Sequence, residues 1–427
     1  MDPVSRPSEE APEDAFAREA AAAGLVLPER RPFDLGGAVA IAVAIVVIAA
    51  GVGEVTGWIN LRSNSPATGF QYLTCSGSPV DLDGAIAANL DPSDAAWLEA
   101  AGSSLSQSVG GCLAVNVVNS TSSAPAGILA DHVAKFAATF VGPGIPGVAS
   151  GASDVAVVPV GLSAVAVVYN LPSLSGPLNL TGAALAGIFS GSIRSWDDPA
   201  ISDVNPGLPL TGLPPISVDH DGDSTAVNAV LTQFLARSNA TWNATIGAGE
   251  SVSWPTGTAV GSDAAMLTAV RATEGAVGYI DLLGNAPSGV GVAQLDDVAG
   301  AFVAPDAITA WIAAESFANS STVVQGDWAN VSLLDAVAPG SYPVSMLTYL
   351  SVFRDLGTAY GGQLSLTNAT WVLEFVYWLT DGSTLAPLPP AYSAGTVSEL
   401  NNETYDGTPI VPSDSESGES GGETGEF

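Results

Sequence analysis

Basic residues are scarce in this sequence. Its 427 residues include 10 Lys and Arg against 43 Asp and Glu, which gives a formal net charge of −33. A surface this acidic repels phosphate backbones, and this argues against nucleic-acid binding. Lys135 is the sole lysine and no G-x-x-x-x-G-K-S/T motif surrounds it, so a P-loop nucleotide-binding site is excluded.

Cysteine and histidine are nearly absent as well. His132, His220, Cys75 and Cys112 are too few for a zinc site of the usual Cys/His kind. The G-x-S-x-G string at 418–422 lies in an acidic stretch without a strand or helix that forms a nucleophile elbow. Because no nucleophile–base set is visible, we predict that the protein is not an enzyme and needs no cofactor.

The length of 427 residues predicts two or three domains, and a hydrophobic content of 47% excludes a disordered polyanion. From residue 70 onward, strand-like runs alternate with helical stretches, a pattern typical of α/β sheets. Strands are predicted at 70–74, 113–118, 155–158, 164–169, 216–218, 276–280 and 344–350. Helices are predicted at 95–108, 129–140, 181–189, 224–238, 264–271, 307–317 and 371–379.

One segment near the N-terminus is long and apolar enough to cross a membrane. Residues 35–53 contain no charged side chain, and a helix of this length spans about 28 Å, close to the thickness of a bilayer core. Arg30 and Arg31 precede the segment and Glu54 follows it, so the positive-inside bias predicts a single-pass cell-membrane protein with the bulk of the chain outside. A cleaved signal peptide and a buried core helix are the alternatives.

Two further features are typical of an extracytoplasmic chain. Cys75 and Cys112 form an even pair, which predicts one disulfide, with two buried free thiols as the alternative. N-x-S/T sequons indicate glycosylation of surface loops. These sequons lie at Asn119, Asn179, Asn239, Asn243, Asn319, Asn330, Asn368 and Asn402.

Short motifs across the second half of the chain carry a family resemblance. IFSGSIRSWDDPAI at 188–201 is followed by NPG at 205–207, WPTG at 254–257, GAVGYI at 275–280, YP at 342–343, FVYWLTDG at 375–382 and APLP at 386–389. In this order, over about 150–390, the motifs closely resemble those of the extracytoplasmic phosphate-binding protein of the high-affinity phosphate ABC importer. We interpret Trp196 and Trp254 within them as packing residues rather than ligand contacts.

The resemblance implies an α/β fold of the two-lobed periplasmic-binding-protein-like type (type II), with the ligand in a cleft that closes about a hinge. The chain organisation expected from it and from the composition is a cytoplasmic segment at 1–33, a transmembrane anchor at 34–53, a linker at 54–68, lobe one at 69–168 plus 288–395, lobe two at 171–284, and an acidic disordered tail at 396–427.

The resemblance also implies how phosphate is held: by main-chain N–H groups and hydroxyls at helix starts, by an Arg, and by an Asp that accepts the anion's remaining proton. The family's lobe-two motif, R-x-D-G-S-G-T, corresponds here to DHDGDST at 219–225. Asp219 stands in place of the Arg, Asp223 in place of the Ser and Ser224 in place of a Gly. A charge pair at about 4 Å is worth about 4 kcal/mol at an effective dielectric of 20, so reversing its sign opposes an anion.

In lobe one, the resemblance assigns three ligand contacts. Asp154 lies in a loop that resembles the one with the proton-accepting Asp, and Ser122 and Ser123 follow the strand at 113–118, where a hydroxyl-rich loop belongs. A glycan on Asn119 would crowd a ligand there. The predicted ligand site is therefore Ser122, Ser123, Asp154, Asp219, Asp223, Ser224 and Thr225.

Three interpretations of the loop at 219–225 remain open. In the first, Asp223 or Ser224 caps the helix that begins near Thr225. In the second, Asp219, Asp221 and Asp223 hold calcium or sodium, because they occupy positions 1, 3 and 5 of a calcium-loop pattern without completing an EF-hand. In the third, main-chain donors still bind an anion.

Two functions follow. The first is a membrane-anchored solute-binding protein that delivers phosphate or another small solute to an ABC permease. The second is a degenerate, glycosylated cell-surface member of the same family that binds no phosphate, with or without a cation site. The family motifs favour the first, whereas Asp219 and Asp223 favour the second, and the fold alone does not decide between them.

Overall fold

The computed structural model describes residues 80–140, 154–223, 225–283, 287–318, 328, 331–380 and 388–410. Within these ranges no helix combines the length and the apolar character that crossing a bilayer requires. The predicted anchor at 35–53, the strand at 70–74 and Cys75 lie outside the described residues, so the anchor and the disulfide stay predictions.

Strands and helices alternate along most of the described chain. The strands are β1 Val80–Ile86, β2 Leu113–Asn119, β3 Phe136–Phe140, β4 Val155–Tyr169, β5 Asn179–Leu180, β6 Ser217–Asp221, β7 Thr258–Val260, β8 Ala276–Asp281, β9 Gly291–Val292, β10 Gln294–Asp296, β11 Phe302–Val303, β12 Ser345–Phe353, β13 Thr404–Tyr405 and β14 Thr408–Pro409. The helices are α1 Pro92–Val109, α2 Pro125–Leu129, α3 Gly182–Phe189, α4 Pro199–Ser202, α5 Ala226–Ser238, α6 Ala240–Thr245, α7 Asp263–Ala272, α8 Ala307–Glu315, α9 Leu356–Ala359, α10 Leu366–Thr380 and α11 Pro390–Leu400.

One nine-stranded sheet runs through both lobes. Its order is β2-β1-β3-β12-β4-β8-β6-β7, and β9 pairs with β4. The first part of β4 pairs with β12 as far as Ala164 opposite Ser345, and the rest pairs with β8 from Val165 opposite Asp281. Nearly every residue of this 15-residue strand is buried, so one continuous strand carries the chain from one half of the sheet to the other.

The hydrophobic pattern predicted two strands, at 155–158 and 164–169, where the structure has the single strand β4. Pro159 interrupts the pattern, since proline lacks the N–H that a sheet ladder needs. The β4–β12 register shifts at this point, with Gly161 opposite Thr348 and Pro159 opposite Tyr349. The irregularity leaves one β4 residue unpaired and lets the strand continue past the proline.

The helix predicted at 129–140 is wrong over most of its length. Helix α2 ends at Leu129, and 136–140 form β3, which pairs with β1 and β12. All five residues of β3 are buried, so the apolar run is a central strand of the sheet rather than a helix face. The other helix predictions are confirmed, with ends displaced by a few residues.

The prediction that 396–427 form a disordered tail is wrong for its first part. The end of α11 and the β13–β14 hairpin occupy that part. Arg354 forms an ion pair with Glu399, and the Asp355 carboxylate accepts a hydrogen bond from the Gly407 N–H (2.8 Å). These contacts attach the segment to the end of β12, and residues 411–427 lie outside the described chain.

Candidate functional site

The main cleft lies at the carboxyl ends of strands from both lobes. It is a cavity of about 460 Å³, lined by the segments that follow β1, β2 and β6 and by the N-terminus of α7. Open α/β sheets bind their ligands at this edge, because the loops there are free to diverge while the strands hold them in place. The cleft is therefore the candidate binding site.

In lobe one, the wall of the cleft begins directly after β1. Asp91 is the N-cap of α1, and its Oδ1 accepts a hydrogen bond from the Ser93 N–H (2.9 Å). Pro92 occupies the first helical position, where the missing N–H has no intrahelical partner to lose. Asn89 is buried, and its Nδ2 donates to Glu250 Oε1 of lobe two (2.6 Å).

In lobe two, a polar network fixes the loop that follows β6. Thr225 is the N-cap of α5, and its Oγ1 accepts from the Asn228 N–H (3.1 Å). The buried Asn228 side chain donates to the Asp223 carbonyl (2.8 Å) and accepts from the Tyr279 hydroxyl, which in turn accepts from the Asp221 N–H (2.9 Å). The backbone of the loop is thereby held while its carboxylates border the cleft.

Direct contacts already join the two walls. The Ala226 N–H, at the start of α5, donates to the Asn89 carbonyl (2.8 Å). The Asp263 N–H, at the start of α7, donates to Asp91 Oδ2 (2.9 Å). Two of the orphan donors that every helix N-terminus exposes are thus satisfied across the cleft by protein acceptors.

Carboxylates dominate the charge of the cleft. In the described chain, its lining contains no Lys, Arg or His. Burial raises the pKa of Asp263 well above its ordinary value, and the nearby Asp91 and Asp281 carboxylates raise it further. The lining carboxylates are those of Asp91, Asp221, Asp223, Glu250 and Asp263.

Asp94 and Asp281 extend this acidic cluster into the protein interior. Burial raises the pKa of Asp281 to about 6, although its carboxylate accepts hydrogen bonds from the Leu283 N–H (2.9 Å) and the Ser163 hydroxyl. Burial also raises the pKa of Asp94 well above its ordinary value, and repulsion from Asp281 adds to the effect. Two buried carboxylates this close favour retaining a proton over carrying two charges.

Of the residues predicted for lobe one, Ser123 lines the cleft. Ser122 instead makes a turn before α2, in which its Oγ accepts from the Ala124 N–H (3.2 Å). Asp154 directly precedes β4, and its carbonyl accepts from the Arg354 N–H (2.9 Å). Neither Ser122 nor Asp154 is among the residues that line the cleft.

Of the residues predicted for lobe two, Asp223 and Thr225 line the cleft and Asp219 does not. Asp219 is buried within β6, and burial raises its pKa. Because Asp219 and Asp221 are two residues apart on a strand, they face the same side of the sheet. We expect a longer side chain at 219 to reach towards Asp221 on that face; Ser224 lies outside the described residues.

The predicted cation site at Asp219, Asp221 and Asp223 is not assembled. Nowhere in the described ranges do three or more His, Cys, Asp or Glu side chains lie close enough to hold a metal ion. Asp221 Oδ1 instead accepts from the Asp223 N–H (2.9 Å). The structure agrees with the capping interpretation of the loop, with Thr225 rather than Asp223 or Ser224 as the N-cap.

The cleft residues that were not predicted from the sequence include Asn89, Asp91, Glu250 and Asp263. Asp91 followed by Pro92 is a helix-start signal, and its position after a strand marks the edge of the sheet. No local pattern distinguishes Asn89 or Glu250, because they are 161 residues apart and meet only in the folded chain.

Comparisons with known proteins agree with this architecture. Residues 147–383 match the family described as a PBP superfamily domain. A structure described as a high-affinity periplasmic phosphate-binding protein (PfluDING) bound with phosphate has a TM-score of 0.50 and 18% identity, over 76% of this chain and 99% of that one. At this identity the likeness shows the fold alone, the α/β two-lobed periplasmic-binding-protein-like fold that the motifs predicted.

Two curated relatives confirm the resemblance seen in the motifs. The phosphate-binding protein PstS of Xylella fastidiosa (strain Temecula1) is 28% identical over 238 residues, which cover 54% of this chain and 63% of the relative. The phosphate-binding protein PstS of Methanocaldococcus jannaschii is 31% identical over 244 residues, which cover 54% of this chain and 61% of the relative. The chain spans about three fifths of the length of these relatives.

Proposed function

Because the chain belongs to the PBP superfamily domain family, a class of solute-binding and non-enzymatic proteins, we propose that it captures a small solute in the cleft and delivers it to an ABC permease. The cleft carries this proposal: a cavity of about 460 Å³ has polar groups of lobe one on one wall and of lobe two on the other. A ligand that touches both walls stabilises the closed arrangement, which is how a two-lobed protein converts binding into a shape that a partner recognises.

The proposal includes a location. The apolar run at 35–53 anchors the chain to the cell membrane, and the arginines before it keep the N-terminus in the cytoplasm. The cleft then lies on the extracytoplasmic side, where a permease accepts its cargo. The bridge between Cys75 and Cys112 is suited to the oxidising conditions there.

Phosphate is the first ligand to test, since both curated relatives are phosphate-binding proteins by name. We propose isothermal titration of the full-length protein in non-ionic detergent and high salt, with phosphate, sulfate and calcium as titrants. Saturable binding of any one of the three at one site per chain supports solute binding by the cleft. Absence of saturable binding by all three contradicts the proposed delivery of any of these solutes.

Two adjacent serines supply matched variants for this titration. Ser123→Ala removes a hydroxyl that lines the cleft, whereas Ser122→Ala removes one that serves the turn before α2. Loss of one hydrogen bond at the cleft weakens binding by roughly five- to tenfold. Equal affinities of the two variants would indicate binding elsewhere on the protein.

A second candidate is the glycosylated surface protein that binds no phosphate. It is favoured by the position of Asn119, a sequon residue that lines the cleft. A glycan at this asparagine fills the space that a solute needs. Mass spectrometry of the peptide containing Asn119, from protein made in its native host, distinguishes the candidates: full occupancy favours the surface protein, and an unmodified asparagine favours solute capture.

A further inference from the structure

The charge of the cleft opposes the ligand that the family name suggests. Five carboxylates line it, those of Asp91, Asp221, Asp223, Glu250 and Asp263, and the described lining offers no cationic side chain against them. Charges a few ångströms apart interact strongly in a cleft that is partly shielded from water. A negative solute is therefore repelled from several directions, and a positive one is attracted.

Three main-chain donors at the helix starts that border the cleft are also engaged. At the start of α5, the Thr225 N–H donates to the Glu250 carbonyl (3.2 Å) and the Ala226 N–H donates to the Asn89 carbonyl (2.8 Å). At the start of α7, the Asp263 N–H donates to the Asp91 carboxylate (2.9 Å). An anion would have to displace these acceptors before it could use the helix N-termini.

An acceptor without a partner is a second and independent indication. Asn89 lines the cleft and is 3% exposed, and its Oδ1 is buried without a hydrogen-bond partner in the described chain. Its amide orientation is fixed, because Nδ2 donates to Glu250 Oε1 (2.6 Å) and a flipped amide would set two oxygens against each other. A buried acceptor left in this way calls for a donor, which an ordered water or a ligand supplies.

We infer that the solute of this cleft is an organic cation, a small molecule with one or more protonated amino groups. This inference rests on the proposed solute-binding function and assigns the class of its ligand. An ammonium group has three donors and no acceptor, which complements a wall of carboxylates and an amide oxygen. A bare metal ion fits less well, because the described side chains form no group of three or more metal ligands. The cavity of about 460 Å³ has room for an organic molecule in place of about fifteen waters.

The test is a titration panel at matched ionic strength, in a buffer without amines or phosphate. The full-length protein is titrated with 1,4-diaminobutane, spermidine, calcium chloride, sodium phosphate and sodium sulfate. We expect saturable binding of at least one of the two amines and none of the two anions. Amine affinity should fall as sodium chloride is raised, since salt screens the attraction.

Charge-neutralising variants locate the binding. Asp223→Asn and Glu250→Gln keep the size of each side chain, and Asp223 is exposed, so the fold does not depend on its charge. Each variant should weaken amine binding by about tenfold or more, whereas Glu274→Gln should leave it unchanged. Glu274 is a suitable control because it is exposed and precedes the amino end of β8, at the opposite edge of the sheet.

Each other outcome overturns a defined claim. Saturable phosphate or sulfate binding without amine binding overturns the cation inference and leaves the solute-binding function standing. Calcium binding that the amines do not compete with shows a metal site and overturns the organic ligand. Amine binding that Asp223→Asn and Glu250→Gln do not weaken places the cation outside the cleft. Absence of binding by every titrant overturns the inference and the proposed function together.

Discussion

The Asp91 carboxylate of lobe one accepts a hydrogen bond from the Asp263 N–H of lobe two, at 2.9 Å. Its other oxygen accepts from the Ser93 N–H, also at 2.9 Å, and so caps α1. One carboxylate therefore serves the N-termini of two helices, α1 and α7, whose dipoles both favour negative charge there. On α7 it occupies the place that a bound anion would otherwise take.

Removing this carboxylate should both destabilise and open the protein. We expect Asp91→Ala to lower the free energy of unfolding by about 2 kcal/mol, since the lost N-cap of α1 costs about 1 kcal/mol and the lost hydrogen bond from the Asp263 N–H costs about as much again. Denaturant titration measures this loss. Small-angle scattering should also show a larger radius of gyration, because one of the contacts between the walls is gone.

The matched control is Asp306→Ala. Asp306 caps α8 through the Ile308 and Thr309 N–H groups and makes no contact with the opposite wall of the cleft among those described. The Asp306→Ala variant should lose about 1 kcal/mol of unfolding free energy and should give the same scattering curve as the parent protein. Identical scattering for both variants would mean that Asp91 does not hold the lobes together.

The buried Asp281 makes stability depend on pH. Burial gives it a pKa of about 6, above the value of about 3.9 for an unfolded Asp, so the folded protein binds this proton more tightly. The stabilisation from that proton is fully present below about pH 4 and is lost as the pH rises through about 6. Asp281→Asn should remove this part of the pH dependence and be the more stable protein at pH 8, by roughly 1–3 kcal/mol.

Unfolding curves from pH 4 to pH 8 check this prediction as the difference between parent and variant. Asparagine keeps an oxygen that accepts from the Leu283 N–H, so the local hydrogen bonding survives the change. Asp203→Asn, at an exposed position, should follow the parent at every pH. A constant difference between parent and Asp281→Asn across the range would show that the proton is not held there.

Reversing the charge of the lobe-two loop should change the class of ligand. In the double variant Asp219→Arg, Asp223→Ser, the arginine extends along the face of β6 that leads to Asp221 at the cleft. One repulsion is removed and one charge-assisted pair is restored, so phosphate binding should strengthen by two or more decades over the parent. Isothermal titration with phosphate measures the change.

The control has the same change in net charge elsewhere in lobe two: Asp203→Arg, Asp197→Ser, at two exposed positions. It should bind phosphate as the parent does, because its charges lie at the surface. Equal phosphate affinity for the parent and both variants would show that the 219–225 loop is not the family's ligand loop.

The anchor predicts a protease-release pattern. Protease added to intact cells should cut the linker at 54–68 and release a fragment that begins after it and retains the lobes. The N-terminal sequence of the mature membrane protein provides the control, since an uncleaved anchor keeps residues 1–33. A mature N-terminus near residue 53 would show that the apolar run is a removed signal peptide.

Much of the fold was predictable because it depends on local patterns. The strands at 113–118 and 276–280 and the helix at 307–317 follow from hydrophobic periodicity, and the motif order identified the family. Hydrophobic periodicity gave the wrong prediction where burial is complete. Strand β3 has apolar residues on both faces, and such a run fits a helix as well as a strand. The periodicity also failed at Pro159, where a register shift accommodates a residue that normally ends a strand.

The binding site was less predictable because it depends on distant contacts. Thr225 and Asp223 were identified through a motif, whereas Asn89 and Glu250 belong to none. Their proximity follows from the closure of two lobes over 161 residues of sequence. A single sequence has no signal for that pairing.

The unbroken path of β4 sets the mechanics of the cleft. A flexible loop between two lobes lets them rotate freely relative to each other. Here the connection is a β-strand, which is hydrogen-bonded to β12 as far as Ala164 and to β8 from Val165 onward. Opening of the cleft must then twist β4 relative to β12 and β8, the strands to which it is hydrogen-bonded. A continuous strand at the crossing therefore resists a large change in the angle between the two halves of the sheet.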